Sequence, residues 1–146
     1  MATDKEIQDK IEETIDNLLL KFCVKVVEDA KENVASAGHV DTGFLMSSIS
    51  FRKLGPLQYR IISAAPYSGF LEYGTVAHEI RAKNKKALAF EIGKGARLAS
   101  KGPVSSAEIV IVKSVQHPGT SPSPFMEPAV HLNLDRLRNG EFFKKA

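Results

Sequence analysis

The stretch that decides the fold is PYSGFLEYGT, which runs from Pro66 to Thr75. It places four large apolar side chains within seven residues, and aromatic side chains contribute more to burial than any others. Proline suits the first position of a helix and glycine supplies a left-handed C-cap, so Pro66 and Gly74 predict one short helix between them. Because side chains three or four residues apart share a helix face, we predict that the four form a plug that packs on a sheet. They are Tyr67, Phe70, Leu71 and Tyr73.

Length and composition predict a single globular domain over residues 1–146. A chain of this size buries roughly two thirds of its unfolded surface, so it needs neither a metal nor a disulfide to fold. The composition, 43% hydrophobic and 25% charged, is that of a soluble protein, and no run of about 18 apolar residues could span a membrane. The N-terminus lacks the apolar core of a signal peptide. A single cysteine, Cys23, excludes an internal disulfide and indicates synthesis in the cytoplasm.

Charge is distributed unevenly along the chain, whose net charge is +3. Residues 1–32 carry nine acidic side chains against five lysines, whereas residues 81–101 carry seven basic side chains against one acid. We expect this basic segment to face DNA or an acidic protein surface, although a merely solvated face is the common use of such charges. Its basic members are Arg81, Lys83, Lys85, Lys86, Lys94, Arg97 and Lys101.

The N-terminal quarter predicts one long helix, because apolar residues recur there at steps of three and four. Thr3 and Glu6 form a capping-box pair at its start, and Gly38 is the natural stop. A helix over residues 4–37 would be about 50 Å long at a rise of 1.5 Å per residue, which is longer than one small sheet can cover. Part of it should therefore project or pack against a neighbouring subunit.

The tripeptide Asp41-Thr42-Gly43 matches the signature of aspartic proteases. That chemistry needs two carboxylates that share a proton, each on a loop that leaves a hydrophobic strand. Here a long helix precedes the tripeptide and apolar residues follow it at helical steps, so we predict that Asp41 or Thr42 is the N-cap of a short second helix. An aspartic-protease-like enzyme stays as the less favoured alternative.

No other pattern of residues predicts catalysis. The four histidines have neither HExxH nor Cys-His spacing, and no nucleophile has an evident base. We therefore predict that the protein is not an enzyme and has no catalytic residue, metal site or cofactor. Glu72 is expected to serve as a helix cap or in a salt bridge between subunits.

From about residue 50 the apolar period changes to two, which predicts strands. Two runs joined by Gly55-Pro56 form a hairpin, and two later apolar runs add two further strands. The fold class is therefore α+β, with a long N-terminal helix packed on a small, about four-stranded antiparallel sheet and with short additional helices. The predicted strands are residues 50–54, 57–64, 87–92 and 108–115, so the sheet and the plug together span residues 50–116.

The C-terminal section, residues 117–138, predicts an extended arm that turns into a helix. Four prolines between His117 and Ala129 exclude a sheet or a regular helix at its start. Phe125 and Met126 are the apolar anchors available in this arm.

Several short motifs occur in a characteristic order over about residues 1–137. They are Val40-Asp41-Thr42-Gly43 with Leu45 and Ile49, Ala65-Pro66-Tyr67, Leu71-Glu72-Tyr73-Gly74-Thr75, Lys86-Ala87-Leu88-Ala89-Phe90, and His117-Pro118-Gly119-Thr120 with Pro124-Phe125-Met126 and Pro128-Ala129. In this order they resemble the small tail-completion or neck proteins of long-tailed phages, the family typified by gene product ten of phage HK-ninety-seven. Met46 departs from the pattern, which favours a basic or polar residue there.

The resemblance implies a structural virion protein that acts at the head-to-tail junction during assembly. It would be made in the host cytoplasm and located in the neck or tail of the virion. The implied partners are the connector or stopper, the tail terminator, the tail tube and further copies in a ring such as a hexamer, with contact to packaged DNA and none to a membrane. The predicted partner or oligomer interface consists of Tyr67, Phe70, Glu72, Tyr73, Phe125 and Met126.

A basic nucleic-acid-binding module is the main alternative function, because the basic segment could follow phosphates. The aromatic residues cluster around residues 67–73 and do not alternate with the lysines, as a stacking platform for bases would require. This difference favours the structural role.

Overall fold

A computed structural model describes residues 1, 3–39, 43–92, 97–98, 102–103 and 108–144 of the chain. The chain divides into two compact units. Unit 1 consists of Met1–Gly74 and Ser121–Ala146, and unit 2 consists of Thr75–Thr120. That residues 1–146 act as one domain remains a prediction.

Unit 1 begins with the long helix α1, Asp4–Ser36. Its start is a capping box, in which the Thr3 N–H donates to Glu6 Oε2 (2.7 Å) and the Glu6 N–H donates to Thr3 Oγ1 (3.3 Å). Its end is a Schellman motif: the N–H groups of Gly38 and His39 donate to the carbonyls of Ala35 and Val34, each at 3.1 Å. Gly38 has φ +74°, a conformation that favours glycine. The predicted capping box at the start of the helix and the predicted stop at Gly38 are therefore both confirmed.

A hairpin, three shorter α-helices and a 3-10 helix complete unit 1. The hairpin strands pair antiparallel, with a bulge between Lys53 and Gly55. Its turn includes Leu57 at φ +54°. The elements are α2 (Phe44–Ser48), β1 (Ile49–Gly55), β2 (Gln58–Ser63), α3 (Ser68–Tyr73), α4 (Met126–Arg138) and a 3-10 helix (Glu141–Phe143).

The core of unit 1 lies where the C-terminal half of α1 meets the hairpin, α2 and the start of α4. Val26, Ala30 and Val34 of α1 are buried there. The remaining buried members are Val27, Leu45, Ile49, Ala65, Phe125 and Ala129. Cys23 is buried and free, and burial raises the pKa of its thiol. The N-terminal half of α1 extends away from this core with its isoleucines exposed, as its length suggested.

Unit 2 consists of short antiparallel strand pairs. A backbone bridge between Thr75 and Thr120 joins its two ends, with N–H to carbonyl distances of 2.9 and 3.0 Å. Gly119, at φ +89°, approaches this bridge so closely that a Cβ atom would collide with the Thr75 carbonyl oxygen. The strands are β3 (His78–Arg81), β4 (Leu88–Ile92), β5 (Arg97–Leu98), β6 (Gly102–Pro103), β7 (Glu108–Val112) and β8 (Ser114–His117), paired β3 with β8, β4 with β7 and β5 with β6.

The α+β class, the long N-terminal helix and the antiparallel pairing of the strands are confirmed. The described strands, however, form four separate two-stranded pairs, where the sequence predicted one sheet of about four strands. Alternating apolar residues identify a strand but not its partner, because pairing depends on contacts between segments far apart in the chain. Within the described ranges, no helix has the length and apolar character needed to cross a lipid bilayer.

Candidate partner-binding surface

Helix α3 presents aromatic side chains to solvent. Tyr67, Phe70 and Tyr73 are 46%, 63% and 79% exposed. The ring of Phe44, at the start of α2, lies 6.5 Å from that of Tyr67 and is half exposed. We call these four residues the aromatic surface. Clustered exposed apolar side chains mark interaction sites on soluble proteins, and aromatic residues dominate the energetics of protein interfaces.

The prediction of a buried plug is wrong for all three of its aromatic members, Tyr67 included, and most clearly for Phe70 and Tyr73. At about 100° per residue, these two side chains lie on one side of α3, and the next pair, Leu71 and Glu72, lies on the opposite side. It is Leu71 that packs against the core and Glu72 that is buried. A six-residue helix can bury only one side, and the buried side is the one without aromatic rings.

Glu72 caps the N-terminus of α4 from a distance of more than fifty residues in sequence. Its Oε2 accepts the N–H groups of Phe125 (2.9 Å) and Met126 (3.0 Å), and its Oε1 accepts that of Glu127 (2.8 Å). These amides have no partner within the helix, and the negative charge also interacts favourably with the helix dipole. Of the two predicted uses of Glu72, the structure shows the cap.

The cap fixes the position of α3 relative to α4. The Ser123 N–H donates to the Leu71 carbonyl at 2.8 Å, immediately before α4. The Asn33 amide donates to the Phe125 carbonyl at 3.0 Å, so α1 is joined to the same turn. Phe70 and Tyr73 of the aromatic surface therefore project from a helix whose opposite side is held by polar bonds.

The six predicted interface residues separate into two groups. Tyr67, Phe70 and Tyr73 lie on the aromatic surface. The structure places Glu72 and Phe125 inside unit 1, where they contact the chain itself, and Met126 packs half-buried against the core. Of the six, only Tyr67, Phe70 and Tyr73 form part of the aromatic surface.

A second polar network, which sequence reasoning missed, joins α1 to α4. The fully buried Asn133 donates from Nδ2 to Asp29 Oδ2 at 2.7 Å and to the Ala129 carbonyl at 2.9 Å. Arg136 donates to the same Asp29 oxygen at 2.6 Å. Buried polar groups need such partners, so this network fixes the packing of α4 on α1.

The hairpin is joined to α1 by an ion pair. Lys53 Nζ lies 2.7 Å from Asp16 Oδ2, which also accepts the Tyr59 hydroxyl at 3.0 Å. The hydrogen bond from Lys53 lowers the pKa of the Asp16 carboxyl, and the same bond raises the pKa of Lys53. Further acids of α1 line the neighbouring groove, but the described part of the chain holds no group of three or more ligands suited to a metal ion.

The basic segment is only partly described. Arg81 of β3 pairs with Glu79 at 2.7 Å, whereas Lys83, Lys85 and Lys86 are exposed in the loop that follows. Lys94 and Lys101 lie outside the described residues, and of Arg97 only the backbone in β5 is described.

The protease-like tripeptide is likewise described only at its last residue. Asp41 and Thr42 lie outside the described residues. The prediction that one of them is the N-cap of the second helix is wrong, because Gly43 takes that position. Helix α2 has Gly43 as its N-cap, at φ +73°.

Comparison with known proteins identifies the family. The model of a family described as "Bacteriophage HK97-gp10, putative tail-component" matches residues 2–74, which is half of the chain. The chain belongs to this family. Membership in the HK97-gp10 family confirms the resemblance inferred from the ordered motifs. No curated protein and no solved structure matches the chain.

The HK97-gp10 match ends at the boundary between the two units. Its last residue is Gly74, and unit 2 begins at Thr75. The HK97-gp10 match therefore covers α1, the β1–β2 hairpin and the whole aromatic surface, whereas the motifs from Lys86 onward lie beyond it.

Proposed function

We propose that the protein is a structural component of a phage virion, that it acts at the head-to-tail junction, and that the aromatic surface is its contact with other tail proteins. The observation that carries this proposal is the exposure of three aromatic side chains, one at the N-cap of α3 and two within it, among the residues that match a tail-component family. Tyrosine and tryptophan lead the residue types that anchor protein interfaces, and large exposed apolar patches are otherwise rare on soluble proteins.

The hydrogen bonds that fix α3 to α4 support this role. Association is costly when a binding segment must be ordered first, and a segment that is already fixed avoids that cost. The Glu72 carboxylate fixes the buried side of α3 to three amides of α4, so the aromatic side chains project from a supported helix. A partner with an apolar groove could then bind them with little rearrangement of the backbone.

The partners we propose are the proteins of the head-to-tail junction. They are a connector or stopper, the tail terminator and the tail tube, together with further copies of this chain in a ring. The protein would be made in the host cytoplasm and would act in the virion without catalysis. Membership in a tail-component family supports the virion location and the contact with other tail proteins.

The proposal is tested by supplying variants to particles that lack the protein. Phe70→Ala combined with Tyr73→Ala should reduce the amount of protein in purified particles at least about tenfold, because truncating an interface anchor costs about 2 kcal/mol or more. Phe143→Ala is the matched control, since that ring is 65% exposed on the 3-10 helix of the same unit. Incorporation of the double variant at the level of the control would contradict the proposal.

Exposed lysines of unit 2 favour a second contact of the protein with a partner. Lys83, Lys85 and Lys86 are exposed and have no ion-pair partner within the described ranges. Three unpaired cations in four residues favour packaged DNA or an acidic protein surface as their partner.

A further inference from the structure

Two strand pairs of unit 2, β3–β8 and β4–β7, follow one another along the same two segments of the chain. The first pair ends with Arg81 opposite Ser114, and the second begins with Leu88 opposite Val112. One segment therefore uses six residues, 82–87, where the other uses a single residue. We call these six residues the lysine loop. It is an enlarged bulge in a β-ribbon, and bulges redirect side chains beside functional sites.

The single residue opposite the lysine loop is Lys113. The residues on either side of Lys113 pair with the two residues that flank the loop, so the ribbon places Lys113 beside the loop. Lys113 is exposed, as are Lys83, Lys85 and Lys86 of the loop. Within the part of the chain that the structure describes, none of the four has an ion-pair partner. A fourth cation therefore joins the three that are close in sequence.

Few acidic side chains offset these cations. Residues 75–120 carry eight basic side chains and three acidic ones. One of the three acids, Glu79, is already paired with Arg81 at 2.7 Å, and the lysine loop contains no acid. This part of the protein therefore attracts a partner with a high density of negative charge.

The composition of the lysine loop distinguishes DNA from an acidic protein surface. The loop reads AKNKKA, which is three lysines, two alanines and Asn84. Lysine and alanine are depleted at protein interfaces, and the loop has none of the aromatic or arginine anchors on which such interfaces depend. Lysine and asparagine side chains, in contrast, are common donors to DNA phosphates. The loop and the first residues of β4 line a groove of about 310 Å³, in which small alanine side chains leave room for a phosphate group.

We propose that Lys113 and the lysine loop form one site that binds the phosphate backbone of duplex DNA. Contacts to phosphates carry no sequence information, so the site accepts DNA of any sequence. The inference rests on the lysine contact in the proposed function: it selects DNA from the two partners named there and adds Lys113 to the site. It uses no residue of the aromatic surface.

The experiment measures the affinity of the purified full chain for a duplex of about 20 base pairs over a range of salt concentrations, by fluorescence anisotropy. Each neutralised phosphate contributes about 0.9 to the steepness of log affinity against log salt. Lys113→Gln should therefore reduce the slope by about 1. Combined with Lys83→Gln, Lys85→Gln and Lys86→Gln, it should reduce the slope by up to about 4. Lys113→Arg keeps the charge and should keep the slope.

Lys10→Gln is the matched control, because it removes an exposed lysine from the acidic N-terminal segment, which duplex DNA should not approach. It should leave the slope unchanged. A second duplex of unrelated sequence should bind the wild type with the same affinity as the first. Circular dichroism establishes that each variant is folded, and Lys113→Ala replaces Lys113→Gln if the latter is not.

The possible failures separate this inference from the proposed function. An unchanged slope in Lys113→Gln, beside a reduced slope when only the lysine loop is changed, overturns the inference and leaves the lysine contact intact. A wild type that does not bind duplex DNA even at low salt also overturns it. In that case, loss of the lysine-loop variant from particles would assign the lysines to an acidic protein surface. The aromatic surface is tested separately, by the incorporation of Phe70→Ala with Tyr73→Ala.

Discussion

Replacing Glu72 by alanine should destabilise the protein more than any other single loss of an acidic side chain described above. The carboxylate accepts three backbone N–H groups, and only the Phe125 amide among them is fully buried. An unsatisfied buried donor costs about 1–3 kcal/mol, and the partly buried amides of Met126 and Glu127 should cost less, about 0.5–1 kcal/mol each, since water can reach them. The sum is about 2–5 kcal/mol.

This loss is large on the scale of a domain. Folded proteins are stable by about 5–15 kcal/mol, and for a chain of about 150 residues each kcal/mol lowers the Tm by about 2–4 °C. Urea unfolding followed by far-ultraviolet circular dichroism measures the loss in free energy. Hydrogen exchange gives a local readout, because the amides of Phe125, Met126 and Glu127 should lose their protection.

Glu127→Ala is the matched control for Glu72→Ala. It removes the same side chain at the same end of α4, but Glu127 is exposed and should contribute only about 0.3–1 kcal/mol through the helix dipole. If the two variants unfold at the same urea concentration, Glu72 does not hold α3 to α4, and the aromatic surface loses its proposed support.

Two further predictions concern charged side chains. Because the pKa of Asp16 is lowered in the folded state, its contribution to stability is present above its unfolded pKa and is lost as the pH falls through the lower folded value. The stability of Asp16→Asn should therefore fall less below about pH 4 than that of the wild type. Asp9→Asn is the control for the loss of one charge, and equal pH profiles for all three proteins would contradict the reasoning. In unit 2, changing three lysines to glutamine should weaken binding to duplex DNA and reduce the slope of log affinity against log salt by up to about 3. An unchanged slope would show that these side chains face solvent and do not contact phosphates. They are Lys83, Lys85 and Lys86.

The features that the sequence predicts well are those encoded by neighbouring residues. The capping box at Thr3 and the stop at Gly38 each depend on side chains and backbone within a few residues, so α1 is predicted to within one residue of its observed end. The change of period near residue 50 likewise locates the β1–β2 hairpin. The family could also be predicted from the sequence, because the motifs that resemble it occur in the same order along the chain.

The features that the sequence does not predict depend on distant partners. The three amides that Glu72 caps lie 53 to 55 residues away, and Asn133 and Arg136 lie more than a hundred residues from Asp29. Spacing alone showed that the aromatic residues of α3 could share a side, but not which side faces the core. A helix of six residues gives too short a pattern to decide this, because both of its sides carry large side chains.

The measurement that tests the central claim most directly is the solvent accessibility of Tyr73 in assembled particles. Hydroxyl-radical labelling with mass spectrometry compares its rate of modification in purified virions with that in the free protein, where the ring is 79% exposed. Phe143, exposed on the same unit, is the internal reference. We expect Tyr73 to be strongly protected in the particle while Phe143 is less so. Equal labelling of Tyr73 in both states, or absence of the protein from purified particles, would contradict a tail component that binds through its aromatic surface.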